Sequence, residues 1–128
     1  MLSNSAKGKF GEELALKYYL ENGYKLVTQN FQYYSKGQSG RKGEIDLILS
    51  KDNILVLVEV KARTNTKFGR AIEQINPNKI RVLFGAYQYF CLKYPAFKNF
   101  YTRFDIAAID SGKLEIISNS LTFDNLGR

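Results

Sequence analysis

The spacing of apolar residues along the chain predicts a helix, three strands, a second helical region and two further strands, in that order. The first helix is predicted over Lys7–Asn22, and Gly23 behind it is typical of a left-handed helix stop. No repeat or linker divides the chain, so we expect one domain spanning residues 1–128. The order of elements favours an α/β fold, a mixed central sheet flanked by helices. One face of the first helix would carry Phe10, Leu14, Ala15 and Tyr18.

Five segments show the alternation and the flanking turn residues of strands. Residues 31–42, rich in Gly, Ser and Lys, predict a loop, and residues 51–53 predict the turn of a hairpin. The helical region Ala71–Tyr94 is expected to divide before Pro77, because the residue preceding a proline avoids helical geometry. The tail from Leu121 shows no clear element. The predicted strands are Tyr24–Asn30, Glu44–Ser50, Ile54–Ala62, Tyr101–Ile109 and Leu114–Ser118.

Charged residues interrupt the predicted hairpin at the end far from its turn. Symmetric pairing about the turn would place Asp46 opposite Glu59 and Glu44 opposite Lys61. Facing carboxylates repel one another unless a cation lies between them, and Mg²⁺ or Mn²⁺ prefers such oxygen ligands. The pattern therefore favours a metal site at Asp46 and Glu59, with Lys61 beside it to act on water or phosphate.

The same hairpin allows a plainer interpretation. Glu44 and Lys61 would form an exposed ion pair, and Asp46 and Glu59 would line a solvated sheet face, as antiparallel sheets often have one wet side. Against this, Glu59 follows an apolar run typical of a central strand, where an unpaired charge is costly. On the other face of the hairpin, apolar throughout, we expect Ile45, Leu47, Leu49, Ile54, Val56, Val58 and Val60.

Composition narrows the classes of function. Lys and Arg number 19 against 12 Asp and Glu, a net charge of +7, which favours nucleic acid as partner over a membrane. The chain has no His, which excludes imidazole catalysis and most zinc sites. The single Cys91 excludes an internal disulfide and is expected to be a core thiol. With neither a secretion signal nor a run of about 20 apolar residues, a cytoplasmic protein is expected.

Several segments, in order, resemble the YraN-like family of predicted bacterial endonucleases: GKFGEELALKYYLENGY, QN, GEIDLI, LVLVEVKAR, FGRAIEQI and RFDIAAID. That family is placed in the restriction-endonuclease-like, PD-(D/E)xK superfamily and is related to archaeal Holliday-junction resolvases. The resemblance implies a restriction-endonuclease-like sheet, metal ligands at Asp46 and Glu59, a catalytic lysine at Lys61 and an additional carboxylate at Glu12. It also aligns Gln74 with a glutamine of some relatives. The chain departs from the superfamily motif at Ile45, where a proline would stand.

Three functions stay open at this stage: a Mg²⁺-dependent endonuclease, a nucleic-acid-binding module with the same fold and no turnover, and a protein-interaction adaptor. DNA, including branched or junction DNA, is favoured over RNA as the substrate. Junction cutting would require a homodimer. Tyr33 and Tyr34 are candidates for stacking on bases. The residues predicted to neutralise phosphates are Lys9, Lys42, Arg63, Lys67, Arg70 and Lys79.

Overall fold

A computed structural model describes residues 4–33, 43–63 and 77–121 of the chain. These residues form two α-helices, a short 3-10 helix at Pro95–Phe97 and five strands. In chain order the elements are α1 (Asn4–Glu21), β1 (Lys25–Tyr33), β2 (Gly43–Lys51), β3 (Ile54–Arg63), α2 (Pro77–Lys93), β4 (Tyr101–Asp110) and β5 (Lys113–Leu121).

The five strands form one mixed sheet in the order β1-β2-β3-β4-β5. Neighbouring strands are antiparallel except β3 and β4, which are parallel and are joined by the crossover that contains α2. This arrangement confirms the predicted α/β fold. It also confirms that β3, which carries Glu59, is a central strand with a partner on each side.

The two helices cover opposite faces of the sheet. Against one face, α2 packs Leu83 and Phe90 onto Leu57 of β3. Against the other, α1 packs Ala15 and Tyr19 onto Val58. Because both faces are covered, β3 reads as an almost unbroken apolar run, and any charge within it must be accommodated in a buried environment.

Most of the predicted boundaries agree with the structure. Gly23 follows α1 with φ of 89°, the left-handed geometry expected at a helix stop. Pro77 is the first residue of α2, where its missing N–H has no intrahelical partner to lose. Cys91 is partly buried against the core, as expected. The short helix expected before Pro77 lies outside the described residues.

Three boundaries differ from the prediction. Residues 31–33 were expected in a loop, but β1 continues through Tyr33 because Phe31 is buried in the core on the α2 side. The last strand, β5, runs to Leu121 and so takes in the first residue of the tail. The first helix begins at Asn4, before the predicted Lys7.

The predicted face of α1 was displaced by about one residue. Phe10 and Tyr18, expected in the core, are 48% and 39% exposed. The buried face instead carries Gly11, Ala15 and Tyr19, spaced four residues apart. Small residues at the first two positions let the helix backbone approach the sheet, and apolarity alone did not reveal this.

Candidate active site

The sheet opens between β2 and β3 at the end where the charged residues lie. Near the turn, the predicted hairpin register is confirmed from Lys51↔Ile54 to Leu47↔Val58, where the described pairing of these strands ends. Pairing of β2 with β1 continues to Gly43, and pairing of β3 with β4 continues to Arg63. We call this gap between two strands that each keep their outer partner the sheet fork.

Asp46 lies at the first position inside the sheet fork. The Val60 N–H of β3 donates a hydrogen bond of 2.8 Å to its Oδ2 atom, so the side chain spans the gap that backbone pairing leaves. Ile45 packs on the α2 side, whereas Leu47 packs on the α1 side. The prediction that Ile45, Leu47 and Leu49 share a face was therefore wrong, because the alternation changes at Asp46, where the pairing of β2 with β3 has ended.

Three carboxylates interact with that of Asp46. We call the four together the carboxylate cluster: Glu12, Glu44, Asp46 and Glu59. Burial raises the pKa of Asp46 from 3.8 to about 7, and the charge of Glu59 is the next largest cause. The Val60 hydrogen bond acts in the opposite direction and does not cancel this effect. The pKa of Glu12 is also raised, first by burial and then by the charges of Glu44 and Glu59.

Glu59 and Lys61 form an ion pair along one face of β3. The Lys61 Nζ lies 3.5 Å from Glu59 Oε1, and the lysine side chain is 31% exposed whereas that of Glu59 is 4% exposed. The interpretation of Glu59 as part of a solvated sheet face is thus wrong. Lys61 reaches from a buried acid to solvent, which gives it access to a bound molecule.

Glu12 reaches the cluster from α1, and Asn30 of β1 connects it to Glu44. With its amide nitrogen facing the acids, Asn30 donates to Glu12 Oε1 at 2.8 Å and to Glu44 Oε1 at 3.1 Å. The opposite orientation would set its oxygen against acceptors, so the hydrogen-bond network selects this one. Sequence reasoning assigned no role to Asn30. Its only signal was its place in the short segment QN.

A cavity of about 580 Å³ lies between α1 and β1, beside the carboxylate cluster. Lys9 and Glu12 line it together with Asn30, so Lys9 is the one predicted phosphate contact whose described side chain is placed at the site. Arg63 and Lys79 belong to β3 and α2, but their side chains lie outside the described part of the chain. Also outside the described residues are Tyr34, Lys42, Lys67, Arg70 and Gln74.

Tyr33, predicted to stack on bases, is partly buried and packs against α2. Tyr33 is the last residue of β1, and its ring lies 6.0 Å from that of Tyr89 on α2. A Cβ built on Gly85 would approach the Tyr33 ring to 3.1 Å, which shows how tightly helix and ring are packed. The ring therefore contributes to the core on the α2 side.

The residues of the carboxylate cluster fit a hard divalent cation. Their oxygens are the ligands that Mg²⁺ and Mn²⁺ prefer, and a cation would relieve the crowding that raises the pKa of Asp46. No group of three or more acidic or sulfur side chains suited to hold one ion occurs within the described ranges. An ion here would take two carboxylates and complete its shell with waters or substrate oxygens, which is common for Mg²⁺.

A second buried acid, Asp105 of β4, was missed by sequence reasoning. With Arg103 of the same strand and Tyr19 of α1 it forms a group that we call the Asp105 cluster. Asp105 is 0% exposed. Arg103 donates two hydrogen bonds of 2.9 Å to its two oxygens, and the Tyr19 hydroxyl donates a third at 2.7 Å. The signal available in the sequence was an acid inside the apolar run of RFDIAAID.

Fold and site together define an α/β protein whose mixed five-stranded sheet opens onto a cluster of carboxylates and one lysine. A family model described as "Uncharacterised protein family UPF0102" matches residues 11–109, a span that includes Glu12, Asp46, Glu59 and Lys61. The chain belongs to the UPF0102 family, which confirms the expected YraN-like relationship.

Relatives named as UPF0102 proteins match across most of the chain. One from Legionella pneumophila subsp. pneumophila (strain Philadelphia 1) is 40% identical over 116 residues, covering 89% of this chain and 92% of that protein. One from Acinetobacter baylyi is 41% identical over 103 residues, 80% of this chain and 69% of that protein. One from Acinetobacter baumannii (strain AYE) is 34% identical over 110 residues, 86% of this chain and 77% of that protein.

Within the described ranges, neither helix is long and apolar enough to cross a membrane.

Proposed function

We propose that this protein is a divalent-metal-dependent endonuclease that hydrolyses phosphodiester bonds in nucleic acid, with DNA as the preferred substrate. The observation that carries the proposal is the convergence of Glu12, Asp46 and Glu59 with Lys61 at the sheet fork. A group of acids kept close together against their mutual repulsion is a feature that stability alone does not favour.

The chemistry follows from the residues at the fork. Asp46 and Glu59 would provide the oxygen ligands of a divalent ion, which would supply Lewis-acid character at the scissile phosphate when bound. Lys61 places a positive charge beside them, where it stabilises negative charge developing on the phosphate and orients a water molecule. Glu12, with a raised pKa, is positioned to hold or accept a proton.

The hydrolytic step balances without any further reactant. A water oxygen forms a new bond to phosphorus, and the bond from phosphorus to the leaving sugar oxygen breaks. The proton released by the water passes to a neighbouring carboxylate or to solvent, and the leaving oxygen gains a proton. No oxidant, reductant or group donor is needed.

The net charge of +7 supports nucleic acid as the partner, since the acids of the site alone would repel a polyanion. Lys9 lies in the cavity beside the cluster, where it can neutralise a backbone phosphate. A cytoplasmic location, and a homodimer where two strands of a junction are cut, are parts of the proposal that follow from this substrate.

The test uses wild type with Mg²⁺ or Mn²⁺ on plasmid, branched duplex DNA, single-stranded DNA and RNA. Asp46→Asn and Lys61→Ala should each reduce cleavage by more than about 100-fold. Their matched controls are Asp52→Asn, in the turn between β2 and β3, and Lys113→Ala, at the first position of β5; both residues are exposed, and both variants should cleave as wild type does. Metal-independent cleavage, or full activity in both site variants, would exclude the endonuclease.

One observation favours a second function. The net charge of +7 would serve nucleic-acid binding without turnover equally well, so a binding module with the same fold is the second candidate. Salt-sensitive binding with no cleavage in any metal supports this module. If the protein neither binds nor cleaves nucleic acid, the remaining function is that of a protein-interaction adaptor.

A further inference from the structure

Asn30 has an unusual backbone conformation for a residue inside a strand. Its φ is 55°, in the left-handed region that most side chains avoid. Within the described residues, Asp52 and Ser111 also have positive φ, but both lie in tight turns between strands, where this geometry is ordinary. Asn30 lies between two residues of β1 that pair regularly with β2, namely Gln29↔Leu47 and Phe31↔Ile45.

That register places Asn30 opposite Asp46, the residue at which the sheet fork begins. The left-handed turn is thus located beside the carboxylate cluster and not at a point where the chain reverses. Strained backbone that persists in an ordered element is often found at functional sites, where surrounding contacts hold it.

The contacts of the Asn30 amide show what this conformation achieves. Its nitrogen donates to Glu12 Oε1 at 2.8 Å and to Glu44 Oε1 at 3.1 Å, so one side chain from β1 bridges an acid from α1 and an acid from β2. The pKa of Glu12 is raised partly by the charge of Glu44. A shared donor offsets this repulsion and holds the two acids next to one another.

We propose that Asn30 is a positioning residue that orients Glu12 toward Asp46 and Glu59 through its hydrogen bonds to Glu12 and Glu44. This inference rests on the proposed function, in which Glu12 is a carboxylate of the metal site. Asn30 acts through these two acids. Hydrogen bonds to ligating carboxylates fix the orientation of the ligands, and their loss commonly weakens metal affinity or activity 10- to 100-fold.

The informative variant is Asn30→Gly, because glycine adopts the left-handed backbone freely and only the amide is lost. Asn30 is exposed on its outer side, so the variant should fold. The matched control is Asp52→Gly, which also introduces a glycine at a φ of 55°, in the hairpin turn away from the site. Any general effect of glycine on the unfolded chain is shared by both variants.

Mn²⁺ binding is measured by the shift in melting temperature as the metal is titrated, and cleavage is measured over the same titration. In Asn30→Gly the half-saturating Mn²⁺ concentration should rise about tenfold in both assays. Asp52→Gly should match wild type. If both glycine variants match wild type in both assays, the positioning role is refuted.

A double-mutant cycle with Glu12→Ala, which removes the acceptor of the Asn30 amide, separates this proposal from the function it rests on. Urea midpoints of the wild type, both single variants and the double variant are compared in EDTA, where no metal contributes. Wild type that neither binds Mn²⁺ nor cleaves contradicts the endonuclease, and the cycle then decides on Asn30 alone. Non-additive midpoints establish the contact with Glu12, whereas additive midpoints overturn it.

Discussion

Asp46 and Asp105 lie in strands of the same sheet but differ in the groups that surround their carboxylates. Asp105 is enclosed by donors, with two hydrogen bonds from Arg103 and one from the Tyr19 hydroxyl. Asp46 receives one backbone hydrogen bond, from Val60, and shares its surroundings with three other carboxylates. Burial and then the charge of Glu59 raise the pKa of Asp46, and burial and the bond to Asp105 raise the pKa of the Tyr19 phenol.

The difference separates an acid that stabilises the fold from one that the fold tolerates. A buried carboxylate with a matched set of donors joins α1 to β4, and removing it would leave those donors without their acceptor. A carboxylate grouped with other acids costs stability in the absence of a cation. Such a cost is common where a residue serves binding or chemistry.

The largest expected effect is on the Asp105 cluster. Asp105→Ala removes the acceptor of Arg103 and Tyr19 and leaves their buried polar atoms without it, so it should lower the free energy of unfolding by about 3–5 kcal/mol. Urea denaturation followed by circular dichroism measures this. Asp46→Ala is the comparison and should cost far less, and equal losses would show that the two acids have the same role.

The second effect is a pH dependence that belongs to Asp46. Its pKa in the folded protein is about 7 against an ordinary value of 3.8, so between these values the folded protein keeps a proton that the unfolded chain has released. Rising pH through this window therefore favours unfolding. In metal-free protein the free energy of unfolding should fall by on the order of 3 kcal/mol from pH 4 to 8.

Asp46→Asn is the control for this pH dependence. The amide oxygen can still accept the Val60 hydrogen bond, but the side chain no longer titrates. Urea midpoints across the pH range should lose most of their decline in this variant. An identical decline in wild type and variant would assign it to other groups.

The third effect is stabilisation of wild type by a divalent ion at pH 8. A metal present at a hundred times its dissociation constant should add about 2.7 kcal/mol to the free energy of unfolding, seen as a rise in melting temperature. Asp46→Asn should lose this rise. In Tyr19→Phe, altered only in the Asp105 cluster, the rise should persist.

The smallest expected effect concerns a single hydroxyl group of the Asp105 cluster. Tyr19→Phe removes one hydroxyl while its ring keeps the edge-on contacts with Tyr18 and Tyr24, and should cost about 1.5 kcal/mol by urea denaturation. It should leave metal-dependent cleavage unchanged. Glu12→Gln should do the reverse, with reduced cleavage and no loss of stability.

The hairpin shows how much of this site was accessible from sequence. Alternation and a short polar turn sufficed to predict the register of β2 with β3 near that turn, and with it the neighbourhood of Asp46 and Glu59. The opening of the fork was not predictable from the same pattern. It depends on where pairing stops, and Ile45 changes side there although its position in the alternation is regular.

Other features depended on tertiary contacts that leave weak traces in the chain. The approach of α1 to the sheet is set by small residues, so the exposed Phe10 was mistaken for a core position. Asp105 resembles Asp46 in sequence, an acid inside an apolar run, and only the Arg103 and Tyr19 donors distinguish them. The left-handed geometry of Asn30 is a property of the backbone that its sequence context did not signal.

Gly11 lets α1 lie close to the sheet and so affects the position of Glu12 at the site. A Cβ there would lie 3.3 Å from Val60 and Ile109 side-chain atoms and 3.4 Å from Ala62, so an alanine would require either these side chains or α1 to shift by a few tenths of an ångström. Glu12 is the next residue and would move with the helix. The chain thus offers a way to tune the reach of a carboxylate by bulk alone, without altering a single charge or hydrogen-bonding group.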